Sequence, residues 1–326
     1  MSLERYRFGL DALEATAALL RNYLPSTPQY AWPLLAERCG AEVWVKHENH
    51  LPTGAFKVRG GITYLEALKR RQPLVPGIVS ATRGNHGQSL AYAGRAHGVP
   101  VTIVMPHGNS REKNAAMRAQ GATLVEHGED FEAAKAEAAR LAASGLHFVP
   151  SFHPDLVRGV ATYSLEFLRA VPELDALYVP IGLGSGICGA IAARRALGLR
   201  TEIVGVQAAG ADPYARSIAA GERVVLPRSD TRADGMAVRE PDADALAIIR
   251  NGVARVVTVS DAQIAEAIAA LWTDTHNLAE GAGAAGLAAL LSERERMRGL
   301  RVGIVLCGGN IDLALFRSWV LEAPAA

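Results

Sequence analysis

Short runs rich in valine, isoleucine and alanine alternate along this chain with longer stretches whose apolar residues recur every three or four positions. The first kind predicts strands at 42–46, 77–81, 101–105, 123–126, 147–150, 176–181, 202–206, 255–259 and 302–306. The second predicts helices at 88–97, 111–120, 131–143, 159–171, 187–197 and 262–272. Strands and helices that take turns in this way imply an α/β fold of parallel sheets with crossover helices, and ligands in such folds gather where strand ends meet helix starts. No internal repeat, low-complexity tract or Ser/Pro-rich linker separates two halves, so a second domain is expected as an insertion. The most apolar stretch, 278–291, is interrupted by Glu280 and by glycines, which predicts a packed helix and no membrane span.

A chain of 326 residues, 49% of them hydrophobic, can bury a large core and has the length of about two domains. Its formal charge of +1 comes without a long Lys/Arg run or a basic helix face, which argues against nucleic acid and anionic membrane as partners. The opening residues, Met1-Ser2-Leu3-Glu4-Arg5-Tyr6-Arg7, carry no apolar export core, and a cytoplasmic location is expected. Cys39, Cys188 and Cys307 form no CxxC pair, so neither disulfides nor structural zinc is expected. His47 and His50 flank Glu48, but no further ligand cluster lies near them, and a strand edge accounts for the pair better than a metal does. No metal site is expected.

Chemistry enters with the segment Leu51-Pro52-Thr53-Gly54-Ala55-Phe56-Lys57-Val58-Arg59-Gly60, which sets one lysine between an aromatic ring and a glycine-bounded turn. A lysine held against apolar walls loses its proton more readily than a solvated one and can condense with a carbonyl. Lys57 is therefore the first candidate nucleophile. Two strand-to-helix junctions are rich in glycine. Thr82-Arg83-Gly84-Asn85-His86-Gly87-Gln88 can converge backbone N–H groups on an anion such as a carboxylate, or can be a tight turn that needs glycine for its own sake. Ile181-Gly182-Leu183-Gly184-Ser185-Gly186-Ile187-Cys188-Gly189 offers closely spaced glycines, a hydroxyl and a helix start, the ingredients of a phosphate cradle. Residues 184–189 also read GxGxxG, the fingerprint of a nicotinamide dehydrogenase, yet that fold wants an acidic residue about 20 positions on, where the next strand ends at Val206-Gln207. A cofactor with a single phosphate fits better. The last predicted strand ends in Cys307-Gly308-Gly309-Asn310, where Cys307 is either a small core residue or a group facing a ligand.

In this order, the motifs resemble the fold-type II pyridoxal-phosphate enzymes over nearly the whole chain, specifically the branch of serine/threonine dehydratases (threonine ammonia-lyases) and serine racemases. Pro52 to Gly60 is similar to the family's cofactor-lysine signature and Gly84-Asn85-His86-Gly87-Gln88 to its substrate-carboxylate and ring-oxygen loop. Gly182 to Gly186 is similar to its tetraglycine phosphate loop, and Cys307-Gly308-Gly309-Asn310 to its Ser/Cys-Gly-Gly-Asn element; Thr27-Pro28 and Ala233-Asp234-Gly235 are smaller matches. The implied fold is tryptophan synthase β-like, with two open, twisted, mostly parallel sheets flanked by helices. It divides into a large cofactor-binding domain of residues 1–78 and 152–326 and a small inserted α/β domain of residues 79–151.

The implied cofactor is pyridoxal 5'-phosphate. Lys57 would carry it and act as the base that takes the substrate's α-proton. Phe56 would line the ring, Asn85 would hydrogen-bond its phenolic oxygen, and Gly182, Leu183, Gly184, Ser185 and Gly186 would hold the phosphate. Thr82, Arg83, Gly84, Asn85 and His86 would receive the substrate, with the backbone amides of 84–87 on its carboxylate. Cys307 would sit near the pyridine nitrogen, where a neutral partner does not enforce ring protonation; elimination then suits the site better than transamination. The resemblance thus implies a lyase that removes water from L-threonine or L-serine to give a 2-oxo acid and ammonia, as a homodimer.

Several positions depart from the family pattern. Arg83 stands where racemases carry the serine that protonates the opposite face, so racemisation lacks its second acid. The arginine either binds a distal group of a larger or acidic substrate, such as 3-hydroxyaspartate, phenylserine or a hydroxyectoine-derived acyl diamino acid, or points outward. In the racemase branch an acidic pair helps hold a divalent cation; here Gln207 and Pro213 take those positions, and a lost or weak cation site is implied. Leu183 and Ser185 interrupt the phosphate glycines. Glu280 lies near the cofactor ring or caps the following helix. The chain ends soon after Asn310, where biosynthetic threonine dehydratases carry a regulatory region, so a catabolic enzyme without isoleucine feedback is expected. His153, Pro154 and the loop 234–238 are further candidates for the side-chain pocket.

Overall fold

A computed structural model of the protein describes residues 3–129 and 131–322. Strands β1 (Gln29–Ala31), β2 (Glu42–His47), β3 (Ile78–Ala81), β4 (Val101–Met105), β5 (Thr123–Glu126), β6 (His147–Phe148), β7 (Ala176–Pro180), β8 (Glu202–Ala208), β9 (Arg255–Val259) and β10 (Arg301–Leu306) follow in chain order. They form two sheets, ordered β1-β2-β10-β7-β8-β9 and β5-β4-β3-β6, in which only the β1–β2 pairing is antiparallel. The expected α/β architecture of two mostly parallel sheets is present. Central strands such as β7 and β10 read as continuous apolar runs because helices cover both faces of a parallel sheet. The short edge strand β1, largely open to solvent, has no alternation to betray it in sequence.

Helices Arg111–Ala119 and Phe131–Ala143 begin where expected, whereas the other four begin earlier than their apolar periodicity suggests. Asn85–His97 starts three residues ahead of the expected 88, which puts Asn85 and His86 in its first turn. The helix Lys57–Arg71 is hidden in the sequence because Gly60 and Gly61 sit in its first turns, where glycine lowers helix propensity. Packing explains them: a Cβ at Gly60 would meet Leu156 O at 2.8 Å, and one at Gly61 would meet Ser89 Oγ at 2.3 Å. This close approach seats the Lys57 helix against Asn85–His97, and its Val58, Ile62 and Leu65 join a core with Ile103 of β4 and with Leu90 and Met117 of the helices Asn85–His97 and Arg111–Ala119.

Strand order then decides where chemistry gathers. Strand β10 lies parallel between β2 and β7, with Ile304 opposite both Val45 and Tyr178. The C-terminal ends of these three neighbours deliver the Lys57 turn, Cys307 and the Gly182–Gly186 loop to one place, the position where α/β sheets bind ligands.

Candidate active site

The lysine turn is held by backbone. Phe56 N–H donates to Cys307 O at 3.0 Å and Gly309 N–H to Gly54 O at 2.9 Å, so the turn is stitched to the exit of β10. Gly54 has φ +66°, and a Cβ there would collide with the Asn310 amide. Lys57 is the first residue of its helix; its Nζ donates to Ser185 Oγ at 2.8 Å and lies 4.9 Å from the Phe56 ring centroid. The partner is a hydroxyl and not a carboxylate. Burial lowers the Lys57 pKa from 10.5 to about 8, with Cys307 and Glu280 opposing it.

Across from the amine, the loop Gly182–Gly186 runs into the helix Ser185–Ala196. Its N-cap, Gly184, has φ +102° and no side-chain cap, so the first N–H groups of the helix keep their capacity for an anion. A Cβ at Gly182 would meet Gly235 O at 2.4 Å, and one at Gly186 would face Tyr163 Oη at 3.4 Å and the Phe56 ring at 3.6 Å. Leu183 O accepts from Tyr214 Oη at 2.9 Å.

The Thr82–His86 loop leaves β3 and closes the site from the other sheet. Thr82 Oγ1 accepts from Gly84 N–H at 3.2 Å. Asn85 donates to Glu280 Oε1 at 2.5 Å and accepts from Asn310 Nδ2 at 2.8 Å. Glu280 makes no side-chain cap to the helix it precedes, which answers the choice left by its sequence: it turns to Asn85 and to Lys113, 3.7 Å away. Its burial raises the carboxyl's pKa against the opposing pull of Lys113 and Asn85. His86 is buried, and burial together with Lys57 lowers its pKa to about 3, so the imidazole is neutral; its Nε2 has no hydrogen-bond partner. Burial pushes the Cys307 thiol well up, so it too is neutral.

A cleft of about 160 Å³ opens beside this cluster, lined by Arg83, Lys113, Arg232, Asp234, Glu280 and Asn310 among others. Arg83 is exposed on its wall. Of the remaining pocket candidates, Asp234 and Gly235 line the cleft, whereas His153 and Pro154 do not: His153 instead caps the helix Pro154–Ala170 by accepting from Asp155 N–H and packs on Tyr64. Lys113 was not foreseen. It is an isolated lysine on an exposed-looking helix, and only the fold brings its Nζ to 3.1 Å from Asp234 and lays its stem over Gly84. At the end of β8, Gln207 donates to Ala211 O at 3.3 Å and accepts from Ala215 N–H at 2.9 Å. No cluster of three or more His, Cys, Asp or Glu side chains suited to a metal occurs among the described residues.

These residues fit a phosphate-bearing aldehyde. A buried amine free of a carboxylate faces an anion-binding helix start, and an orphaned imidazole nitrogen waits nearby. Fold and site together fit an α/β enzyme in which a lysine amine faces an uncapped, glycine-rich helix start. Residues 21–308 match the pyridoxal-phosphate dependent enzyme family, and the chain belongs to it. Its cofactor is pyridoxal 5'-phosphate, which overrules the nicotinamide reading of GxGxxG. An L-threonine ammonia-lyase of Geobacter sulfurreducens is 39% identical over 85% of this chain and 69% of its own length. An L-threo-3-hydroxyaspartate ammonia-lyase of Pseudomonas sp. is 34% identical over 98% of this chain and 99% of its own. Among solved structures, maize serine racemase superposes with a TM-score of 0.90 at 28% identity, covering 97% of this chain and 98% of that one.

Proposed function

We propose that the protein is an ammonia-lyase that removes water from a β-hydroxy L-amino acid, L-threonine or L-serine, to give a 2-oxo acid and ammonia. The observation that carries the reading is the Lys57 amine, buried without a carboxylate and hydrogen-bonded to the hydroxyl at the head of the phosphate loop. When bound, pyridoxal phosphate supplies an electron sink for the carbon that loses its proton. Lys57, with a pKa of about 8, is a base able to take that α-proton near neutral pH. In the 84–87 loop, Gly84 N–H is taken by Thr82 Oγ1 and Gly87 N–H by Gly84 O, so the N–H groups of Asn85 and His86 would hold the substrate carboxylate, and Asn85, fixed by Glu280 and Asn310, would hydrogen-bond the cofactor's phenolic oxygen. The neutral Cys307 favours elimination, and Arg83, standing where a racemase would carry its second acid, supports a lyase over a racemase.

A second reading is favoured by Arg83 and Lys113 lining one cleft: the substrate carries a distal acid, as in L-threo-3-hydroxyaspartate, for which the Pseudomonas relative is named. Ammonia and 2-oxo-acid release from L-threonine, L-serine and L-threo-3-hydroxyaspartate separates the two. Turnover of none of them defeats the dehydratase assignment, and turnover of the acidic substrate alone selects the second reading.

The same proposal takes residues 79–151 as a small unit inserted in a large one, supported by the separate four-stranded sheet. It takes the enzyme as a cytoplasmic homodimer. Three buried free cysteines support a reducing compartment, and exposed Tyr30, Leu34 and Trp272 support a covered face. Size-exclusion chromatography with light scattering tests the dimer.

A further inference from the structure

The phosphate loop has a second set of polar neighbours that no catalytic step uses. Tyr214, 0% exposed in the helix Pro213–Ala220, donates its hydroxyl to Leu183 O at 2.9 Å and accepts from Asp242 N–H at 3.1 Å. Asp242 in turn caps the helix Ala243–Arg250 through Asp244 and Ala245 N–H, and Ala245 Cβ is the atom a side chain at Gly184 would meet first, at 3.0 Å. The turn that presents Tyr214 is itself held by Gln207, whose amide spans Ala211 O and Ala215 N–H. Burial pushes the Tyr214 phenol well above its ordinary range, so the hydroxyl stays a donor.

In a trans peptide the N–H points opposite to the preceding C=O. A carbonyl pinned by Tyr214 therefore fixes the direction of the next N–H, that of Gly184, the residue that opens the anion-binding helix start. We propose that Tyr214 is a positioning residue for cofactor phosphate: by holding the Leu183 carbonyl it aims the Gly184 N–H into the cradle. Gln207 supports it one step behind. The inference rests on the pyridoxal-phosphate reading of the site and involves neither Lys57 nor the amino-acid substrate.

The test strips cofactor from the holoenzyme and titrates the apoprotein with pyridoxal phosphate and with pyridoxal, which lacks the phosphate, following visible absorbance and tryptophan fluorescence. In Tyr214→Phe, affinity for pyridoxal phosphate is expected to fall about tenfold, the scale of one buried hydrogen bond with its partners left unpaired, while affinity for pyridoxal is unchanged. Inorganic phosphate, used as a competitor, should weaken in parallel. Pyridoxal phosphate binding unchanged, or pyridoxal weakened as much, overturns the inference. Should Tyr214→Phe not fold, Gln207→Met carries the same two titrations, with a smaller shift of the same ratio expected and an unshifted ratio counting against it. A wild-type protein that bound neither aldehyde would defeat the cofactor reading beneath; a normal wild type with an unshifted variant defeats only the role of Tyr214.

Discussion

Lys57, half-buried, and Arg59, fully buried, leave the same helical turn but meet different surroundings. Arg59, 2% exposed, sends its guanidinium to both oxygens of Glu48 at 2.8 and 3.0 Å and both of Glu166 at 2.8 and 3.0 Å. Lys46 completes the group, donating to Glu166 at 2.9 Å and Thr27 O at 2.8 Å. Two cations and two carboxylates close a neutral box behind the site. Burial works against the Arg59 charge, yet Glu48 and Glu166 outweigh it and hold the cation more firmly than in water. Lys57 has only the Ser185 hydroxyl, so burial wins and its proton is loosely held. Paired buried charge fixes the helix in place; the unpaired neighbour two residues earlier is left free to react.

Substitutions can break this contrast. The largest effect is expected from Lys57→Ala: ammonia release falls by at least about 10⁴-fold and the cofactor's visible band is lost, while the apoprotein loses no stability near neutral pH, where burying the charged amine disfavours folding. Arg59→Met should do the reverse in kind, costing about 3–5 kcal/mol of folding free energy in urea titrations by leaving Glu48 without a cation and Glu166 with Lys46 alone. A stable Arg59→Met protein would show that the box is not what seats the helix.

The proton on Lys57 sharpens the comparison through pH. Its pKa is lowered from 10.5 to about 8 on folding, so between these values the unfolded chain holds a proton that the folded one does not. Stability of the apoprotein should therefore rise with pH across that window, by up to about 3 kcal/mol, and level off below 8, where both states hold the proton. Lys57→Met should flatten this slope and Arg59 variants should not. The smallest effect is expected at Gln207, whose neutral amide already joins Ala211 O and Ala215 N–H: chelator treatment should leave the melting temperature unchanged, and a drop restored by magnesium would reveal a cation site there.

Much of this was legible along the chain. The predicted strands appear with ends shifted by at most a few residues, because alternation of apolar runs with turns is a local signal. The lysine turn, the two glycine junctions and the Cys307 element announced themselves through residue types suited to tight backbone and to carbonyl chemistry. Other features were not legible. The helix at Lys57 was masked by Gly60 and Gly61, whose purpose is contact with Leu156 and Ser89. Lys113 and Tyr214 carried no motif, since a lone lysine or tyrosine on a helix takes its meaning only from what stands opposite.

The sequence by itself determined most of the elements, the glycine-rich junctions and the candidate amine, since backbone periodicity, glycine freedom and lysine chemistry are properties of neighbouring residues. Tertiary structure alone decided the partners. Lys57 meets Ser185 across 128 positions, Asn85 meets Glu280 across 195, and Lys113 meets Asp234 across 121. The parallel order β2-β10-β7 brings the lysine turn and the Gly182–Gly186 loop to the same edge, and it is that placement, with a hydroxyl instead of a carboxylate beside Nζ, that loosens the proton on Lys57.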